Sequence, residues 1–491
     1  MKICVLNSSY EKSNSPFATL DPYSNPEFYY EGIKHSHTFH QAYINKATAS
    51  QQIRDLVKEG FDVFINLCDG AFDEDRAGKE VVELLEFYGQ AYTGADLKFY
   101  EPSRATQKMI AYYHGVRTPV FGFAYNDLDI MEISNSLKYP VIVKHYNGYS
   151  SIGMTKKSRC ETVDEMIFET RRMIQQYGGA LIEEFIEGRE FTALVCENSD
   201  DPSNPIAFDP IECIFSNGET FKHFDLKWVN YDSIQWVRCN DVELNNKIKE
   251  MAKKMFVGLD GVGYGRLDIR VDQNNEPYYL EINPNCGIFY PKSCEGSADF
   301  ILLNDSVMGH VGFIEHIMKC AITRKNNRVK KTEIRFKPNK GYGMYALRDI
   351  LEGEVVHQYE EKPTYIVSKN HVERNWNDPL KKQWFKQYAY PITETTYCIW
   401  SPNPEEWLQL NHSCDPNVWL DGLNIVARRS IKKNEQISIE YATFCTDMME
   451  EFVCHCGSKQ CRGVIKGSDY MLPSIRETYN EHVTDYVKSK W

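Results

Sequence analysis

The sequence predicts a multidomain chain: an α/β front part, then a smaller part that ends in a cysteine-rich tail. Three observations carry this. The chain has 491 residues, enough for two or more separately cored domains. Residues 265–287, GRLDIRVDQNNEPYYLEINPNCG, alternate with a period of two on both sides of a polar turn, the pattern of a β-hairpin with one apolar and one polar face. Residues 454–463, CHCGSKQCRG, set three cysteines in the order C-x-C-x4-C.

Charged residues make up 25% and aromatics 13%, a globular composition. A formal net charge of -13 disfavours a protein that coats nucleic acid. The N-terminus lacks a charged-then-apolar layout, and no apolar run is long enough for a membrane span, so no membrane partner is expected. The 15 cysteines therefore point to a reducing compartment, the cytoplasm or alternatively the nucleus, with Cys as core filler or metal ligand.

In order, residues 3–6 read as a buried strand and 16–39 as a polar loop. Its His35, His37 and His40 fit a polar or substrate-facing loop better than a metal site. Residues 53–57 read as helix and 61–68 as strand. The stretch 69–78 is an acidic turn around Arg76, and 80–88 is a helix capped by Gly89. Residues 102–115 form a helix carrying Lys108, and 140–144 a strand ending at Lys144. The loop HYNGYSSIGM follows, with Ser150 and Ser151, whose hydroxyls and backbone N–H groups suit phosphate oxygens. Thr162 and Glu165 form a capping box for a helix to Tyr177. Strands follow at 180–185 and 190–196, and a helix at 241–258.

On the hairpin, Leu267, Ile269 and Val271 share one face, and Arg266, Asp268 and Arg270 the other. Across the turn, Leu280 and Ile282 are apolar, while Glu281 and Asn283 are polar. Asp268, Glu281 and Asn283 then gather beside Arg266. Two carboxylates and an amide oxygen are hard ligands suited to Mg²⁺ held with nucleotide phosphates. A hairpin with one solvated face is the plainer alternative on these residues alone. A last apolar helix is expected at 298–321.

Together these segments resemble the ATP-grasp ligases, most closely the D-alanine–D-alanine ligase branch. The resemblance implies an α/β ATP-grasp fold, with subdomains at 1–100, 101–180 and 181–320. It implies ATP and Mg²⁺, with Asp268, Glu281 and Asn283 on the metal and Arg266 catalytic at the transferred phosphate. Lys108, Lys144, Ser150 and Ser151 would meet the phosphates. Glu183, Glu184, Phe185 and Ile186 would form the adenine hinge, and Glu190 would bind the ribose. Lys227 would sit in a lid at 217–228, and backbone amides at 285–287 would approach the phosphate. The chemistry implied is ATP-driven activation of a carboxylate as an acylphosphate, then attack by an amine. The acidic turn at 69–78 departs from the family's substrate loop, so the substrate stays open.

Residues 324–340 are basic and read as a solvated linker, placed at 321–332. Four motifs then follow in order: the Gly-x-Gly of 341–343, NHSCDPN at 411–417, ISIEYA at 437–442, and CHCGSKQCRG. They resemble the SET-domain lysine methyltransferases with a post-SET zinc tail. The resemblance implies a mostly β SET domain at 333–451, a zinc-binding post-SET segment at 452–466, and S-adenosyl-L-methionine as cofactor. Gly341, Tyr342, Gly343, Asn411 and His412 would bind it, together with Tyr441 at the methyl-transfer centre. Three thiolates, Cys454, Cys456 and Cys461, lack the fourth ligand that structural zinc needs, and the resemblance supplies Cys414. Leu408-Gln409 and Ile439 depart from the family's usual residues, which leaves the number of methyls and a histone substrate open. Tyr345, Tyr359, Tyr388, Tyr390 and Tyr397 are channel-wall candidates or plain core. A helix at 474–488, within a C-terminal segment 467–491, sets Ile475, Tyr479, Val483 and Tyr486 in one stripe.

The expected protein is bifunctional: a ligase plus an N-methyltransferase, with an amino acid or amine as substrate, or alternatively a protein lysine. A homodimer is left open.

Overall fold

The hairpin forms as Tyr264–Val271 paired antiparallel with Pro277–Pro284. The computed structural model describes residues 1–11, 23–71, 74–148, 151–216, 218–228, 234–328, 330–338, 341–359 and 364–491, with backbone only at 227, 228 and 405. Leu267, Ile269 and Val271 are fully buried. They pack against Phe191 and Ala193 of the next strand, Arg189–Cys196, and against Ile248, Met251 and Met255 of the helix Val242–Gly258. Register pairs Arg266 with Asn283 and Asp268 with Glu281, which places the polar quartet on one face.

Alternation breaks at one point. The register shifts between Asp268 and Ile269, so that Ile269 faces Tyr279 and Leu280 is the extra residue of a bulge. Tyr279, rather than Leu280, joins Ile282 in the core, and Leu280 lines the cleft. This corrects the expected apolar pairing of Leu280 with Ile282. The buried Tyr279 hydroxyl is satisfied by donating to Gln107 Oε1 at 2.6 Å, and the same oxygen accepts from Ile282 N at 3.0 Å.

The described residues divide into two compact units, Met1–Arg328 and Val329–Trp491. The first holds three sheets. Lys2–Ser8 runs parallel between Thr38–Ile44 and Val63–Asn66. Ala180–Glu184 lies antiparallel between Phe121–Ala124 and Val141–His145, with Arg159–Cys160 on the far edge. The third orders Ile234–Arg238, Ile211–Phe215, Arg189–Cys196 and then the hairpin. The Thr162–Glu165 capping box forms, and Gly178 ends that helix at φ +82°.

Several expectations are corrected here. Of the loop expected at 16–39, residues 16–22 lie outside the described residues, 23–37 are coil and turn around the short helix Pro26–Tyr30, and the strand Thr38–Ile44 takes the last two positions. Of its histidines, His37 bonds Glu315 at 2.7 Å, and the exposed His40 lies against Phe61. The last apolar helix is two helices, Ser297–Asn304 and Gly309–Arg328. Asp305 splits them by accepting from the N–H groups of Met308 and Gly309 (2.7 and 3.3 Å). The second helix runs into the stretch expected to be solvated linker, because Arg324 and Arg328 lie over the Tyr92 ring (5.5 and 5.7 Å) and Arg324 pairs with Glu197. Asn217 lies outside the described residues, and the rest of the expected lid ends in a short helix, Phe224–Trp228.

In the second unit, Thr332–Lys337, Gly341–Ala346, Gln436–Ile439 and Asn411–His412 form one sheet, the last pair parallel. Two smaller three-stranded sheets and the pair Phe452–Val453 with Val464–Ile465 complete it. The C-terminal helix is broken into Pro473–Tyr479 and Asp485–Lys488, because Asn480 turns to φ +32°. The break moves the stripe, so Val487 is fully buried in place of Tyr486.

Leu267→Ala should leave a cavity between the hairpin and the helix Val242–Gly258. The expected cost is about 2–5 kcal/mol, read as a lower denaturant midpoint for the transition of the first unit.

Candidate active sites

The first unit contains a cavity of about 440 Å³, within the range of small-ligand sites. It brings together Lys144, Ser151, Glu183, Glu184, Phe185 and Ile186 from the central strands and loop. From the third sheet it takes Glu190, Arg266, Asp268, Glu281 and Asn283. Lys108 reaches the same place from its helix. It is buried and ion-paired with Glu183, which also pairs with Lys144. Ser150 lies outside the described residues, and of Lys227 only the backbone is described.

The cleft's charges alternate. Burial alone would raise the Glu183 carboxyl, but the ammonium groups of Lys108 and Lys144 outweigh it and hold it at about 2. Burial lowers Lys108, more than the pairing raises it. Glu190 meets Lys222 at 3.0 Å and Arg270 at 3.2 Å. Asp268 meets Lys222 at 3.4 Å and Arg266 at 3.8 Å. Glu281 pairs with Arg104. Burial would lower Lys222, but Asp268 and Glu190 hold it above the usual lysine range.

Asp268 and Glu281 face each other across the hairpin, and Asn283 Nδ2 lies 3.4 Å from Asp268 Oδ2. An amide turned to offer its oxygen would complete a hard donor set that fits Mg²⁺. At the hinge, the N–H groups of Glu184 and Phe185 are already used, donating to the carbonyls of Val120 and Pro140 at 2.9 Å each. The Phe185 ring lies between the guanidiniums of Arg159 and Arg270 (4.4 and 4.6 Å).

In the second unit, Asn411 Nδ2 donates to the Tyr342 carbonyl at 2.9 Å. A side chain at Gly343 would collide with the amides of Gln436 and Asn411, at 2.7 and 2.9 Å. Gly341 sits at φ +68° with open space before it. These residues gather along one strand edge, and their backbone approach suits a ligand such as S-adenosylmethionine. The His412 ring does not join them. It is buried between Cys414 and the backbone of Tyr441, so only its main chain is offered to a ligand. The Tyr441 hydroxyl donates to the Leu410 carbonyl at 2.9 Å, and burial keeps the phenol well above its ordinary range. Among the channel candidates, Tyr390 packs on Phe444, which packs on Tyr441 (5.5 and 5.6 Å). Tyr345 is buried and Tyr388 exposed.

The sulfurs of Cys414, Cys454, Cys456 and Cys461 all lie within 4.8 Å of one another, with Cys414 and Cys454 at 4.0 Å. A tetrahedral zinc–thiolate site has sulfur–sulfur edges of about 3.8 Å, from Zn–S bonds of about 2.3 Å, so the four residues fit zinc. Burial raises the Cys456 thiol, but bonds from Ser458 and the backbone outweigh it and bring it to about 6, which favours the thiolate a metal needs.

Comparison with known proteins finds a family match in each unit. The family model for the D-ala D-ala ligase C-terminus matches residues 122–296, and that for the SET domain matches 341–442. A D-alanine–D-alanine ligase of Laribacter hongkongensis is 30% identical over 246 residues, which is 49% of this chain and 74% of that protein. The chain belongs to the D-alanine–D-alanine ligase family. Behind that region it carries a SET domain. The ligase of Bordetella avium is 26% identical over 247 residues, again 49% of this chain and 74% of the relative. The solved D-alanine–D-alanine ligase of Bacillus anthracis with ATP aligns with a TM-score of 0.47 and 18% identity, over 67% of this chain and 99% of that one.

Three cleft residues of this ligase-family unit were not foreseen as site residues. Arg104 lies one helical turn before Lys108 and so shares its face; the spacing was a usable signal. Arg270 continues the alternation of Arg266 and Asp268. Lys222 had no such signal, since Lys227 in the same segment is an equal candidate by type.

Two outcomes follow. The contribution of Glu183 is complete above the ordinary carboxyl value of 4.5 and is lost as pH falls toward about 2. Glu183→Gln should flatten the fall in unfolding free energy across that window. It should also lower stability at pH 7, where two ammonium groups lose their counter-charge; urea titrations at several pH values read both. Separately, elemental analysis should find one zinc per chain, and Cys461→Ser should strip most of it.

Proposed function

We propose that the front unit is an ATP-dependent, ADP-forming carboxylate–amine ligase for an amino-acid-type substrate, and the back unit an S-adenosylmethionine-dependent N-methyltransferase. Together they make an N-methylated small peptide or amino-acid derivative. The observation that carries the ligase half is the convergence of Asp268, Glu281 and Asn283 with five cations, Lys144, Lys222, Arg104, Arg266 and Arg270, on one cleft. Bound ATP and S-adenosylmethionine would supply the phosphoryl and methyl groups. Asp268, Glu281 and Asn283 would hold Mg²⁺. Lys108, Lys144, Lys222 and Arg266 would leave their carboxylate partners in part to meet phosphate oxygens, giving fixed positive charge where negative charge must approach negative charge. At the second centre, Tyr441, held by its bond to Leu410, would help align the acceptor nitrogen with the methyl group. The relatives are D-alanine–D-alanine ligases, and the same type of bond is proposed for this chain with its own substrate.

The purified protein, added to a cell extract with methyl-labelled S-adenosylmethionine, tests the reading once the label is separated by size. Label in small molecules that requires ATP and Mg²⁺ is the expected result. Label only in protein and indifferent to ATP would replace it with a protein lysine methyltransferase whose ligase-type half acts apart.

A further inference from the structure

We infer that Arg270 is a positioning residue of the nucleotide site: its one buried guanidinium aims Glu190 at a ribose hydroxyl and fastens the lid segment at Thr220 to the hinge link at 186–188. The inference rests on reading the first unit as an ATP-dependent ligase.

Arg270 and Glu190 stand directly opposite each other on neighbouring strands, so their side chains share a face. Arg270 is buried, and its planar fork reaches four acceptors. Nε donates to the Ile186 carbonyl at 3.1 Å and Nη2 to the Gly188 carbonyl at 3.2 Å. Nη1 donates to Glu190 Oε2 at 3.2 Å and to the Thr220 carbonyl at 2.8 Å. Glu190 alone of the four lies in a strand; the three carbonyls belong to the irregular segments on either side of the cleft's hinge end. An arginine that only balanced the charge of Glu190 would need one of these bonds.

The surroundings are shaped for this approach. Gly188 sits at φ +143°, and a side chain there would start 2.1 Å from the carbonyl of Val271, the residue after Arg270. The link therefore lies flat against the strand that carries the arginine. Thr220 is held from a second side, because Arg159 Nη1 donates to its hydroxyl at 3.1 Å. The Phe185 ring lies between the two guanidiniums, 4.4 Å from Arg159 and 4.6 Å from Arg270. Lid residue, hinge aromatic and two arginines thus form one closed cluster.

The two cations on Glu190 divide the work. Lys222 takes Oε1 at 3.0 Å and also lies 3.4 Å from Asp268 Oδ1. It is a single point charge that a phosphate oxygen can draw away. Arg270 is anchored by three carbonyls as well, so it stays on Oε2 when Lys222 moves. Oε1 is then released to accept a hydroxyl, with its direction fixed by the charge-assisted bond to Oε2.

The test uses the full chain with Mg²⁺ and two probes, ADP and its 2′,3′-dideoxy analogue, which lacks the ribose hydroxyls. It reads calorimetric affinity for each probe and amide hydrogen exchange at 219–224. The unaltered protein should prefer ADP about tenfold, the scale of one hydrogen bond to a charged group. Arg270→Met, similar in reach but without donors, should lose most of that preference. Exchange should rise at 219–224 and stay unchanged in the strand Lys2–Ser8. Arg270→Lys, which keeps the charge but not the fork, should fall between. Lys222→Met should weaken both probes alike and keep the preference. In Arg270→Met, either reading at its wild-type value overturns the inference. Loss of the preference in Lys222→Met, or no preference in the unaltered protein, does so as well. Exchange raised evenly across the first unit also overturns it, since that marks general destabilisation. If Arg270→Met fails to fold, Arg270→Lys decides by the same two readings. Absence of binding of either probe by the unaltered protein overturns the ligase reading itself, and this inference with it.

Discussion

The ligase-family cleft depends on one constraint: a charge taken out of water must be matched. Glu183, fully buried, stands between Lys108 and Lys144. Remove it, and two ammonium groups face each other in a place where water cannot screen them. Keep it, and both lysines are held at fixed positions, Lys144 on the cleft wall. The same matching extends outward through Glu190, Asp268 and Glu281, each with its own cation. The site is thus charge-balanced and geometrically set by its own side chains. A polyanion entering it exchanges one set of partners for another, which keeps reorganisation small.

The second unit obeys the same rule on a smaller scale. Glu440 is buried beside Tyr441 and matched by an arginine from the cysteine-bearing tail. In both units, the buried acid ties together segments that are far apart in sequence. Glu183 joins the strand Ala180–Glu184 to the helix Arg104–Tyr113, and Glu440 joins residues 22 positions apart. Hydrophobic burial places the layers, and these pairs set the local geometry at the functional ends.

How much of this was legible depended on how local the signal is. The hairpin was readable because strand period is intrinsic to the backbone, and Arg266, Asp268, Glu281 and Asn283 fell on the expected face. The bulge at Leu280 was not, because it answers to the fit of Tyr279 against Gln107, 172 positions away. The C-terminal break at Asn480 had no apolar gap to announce it. The basic run after residue 321 reads as linker by composition, and only the ring of Tyr92 makes its first turns helix. Cys454, Cys456 and Cys461 declare themselves by spacing. Cys414, 40 positions earlier, is visible from residues alone only as one cysteine among 15.

The bulge at Leu280 also bears on how this region tolerates change over time. Each residue of a strand is assigned to a face by counting from its neighbours, and one extra residue resets the count. Between Pro277 and Asn283 the chain therefore accepts exchange of one side chain for another more readily than any change in length. Loss of Ile282 would make Glu281 and Asn283 neighbours and force one of them toward the core, whereas loss of the extra residue Leu280 would restore the plain count. A change in length should be tolerated better in the turn at 272–276, where no such count is kept.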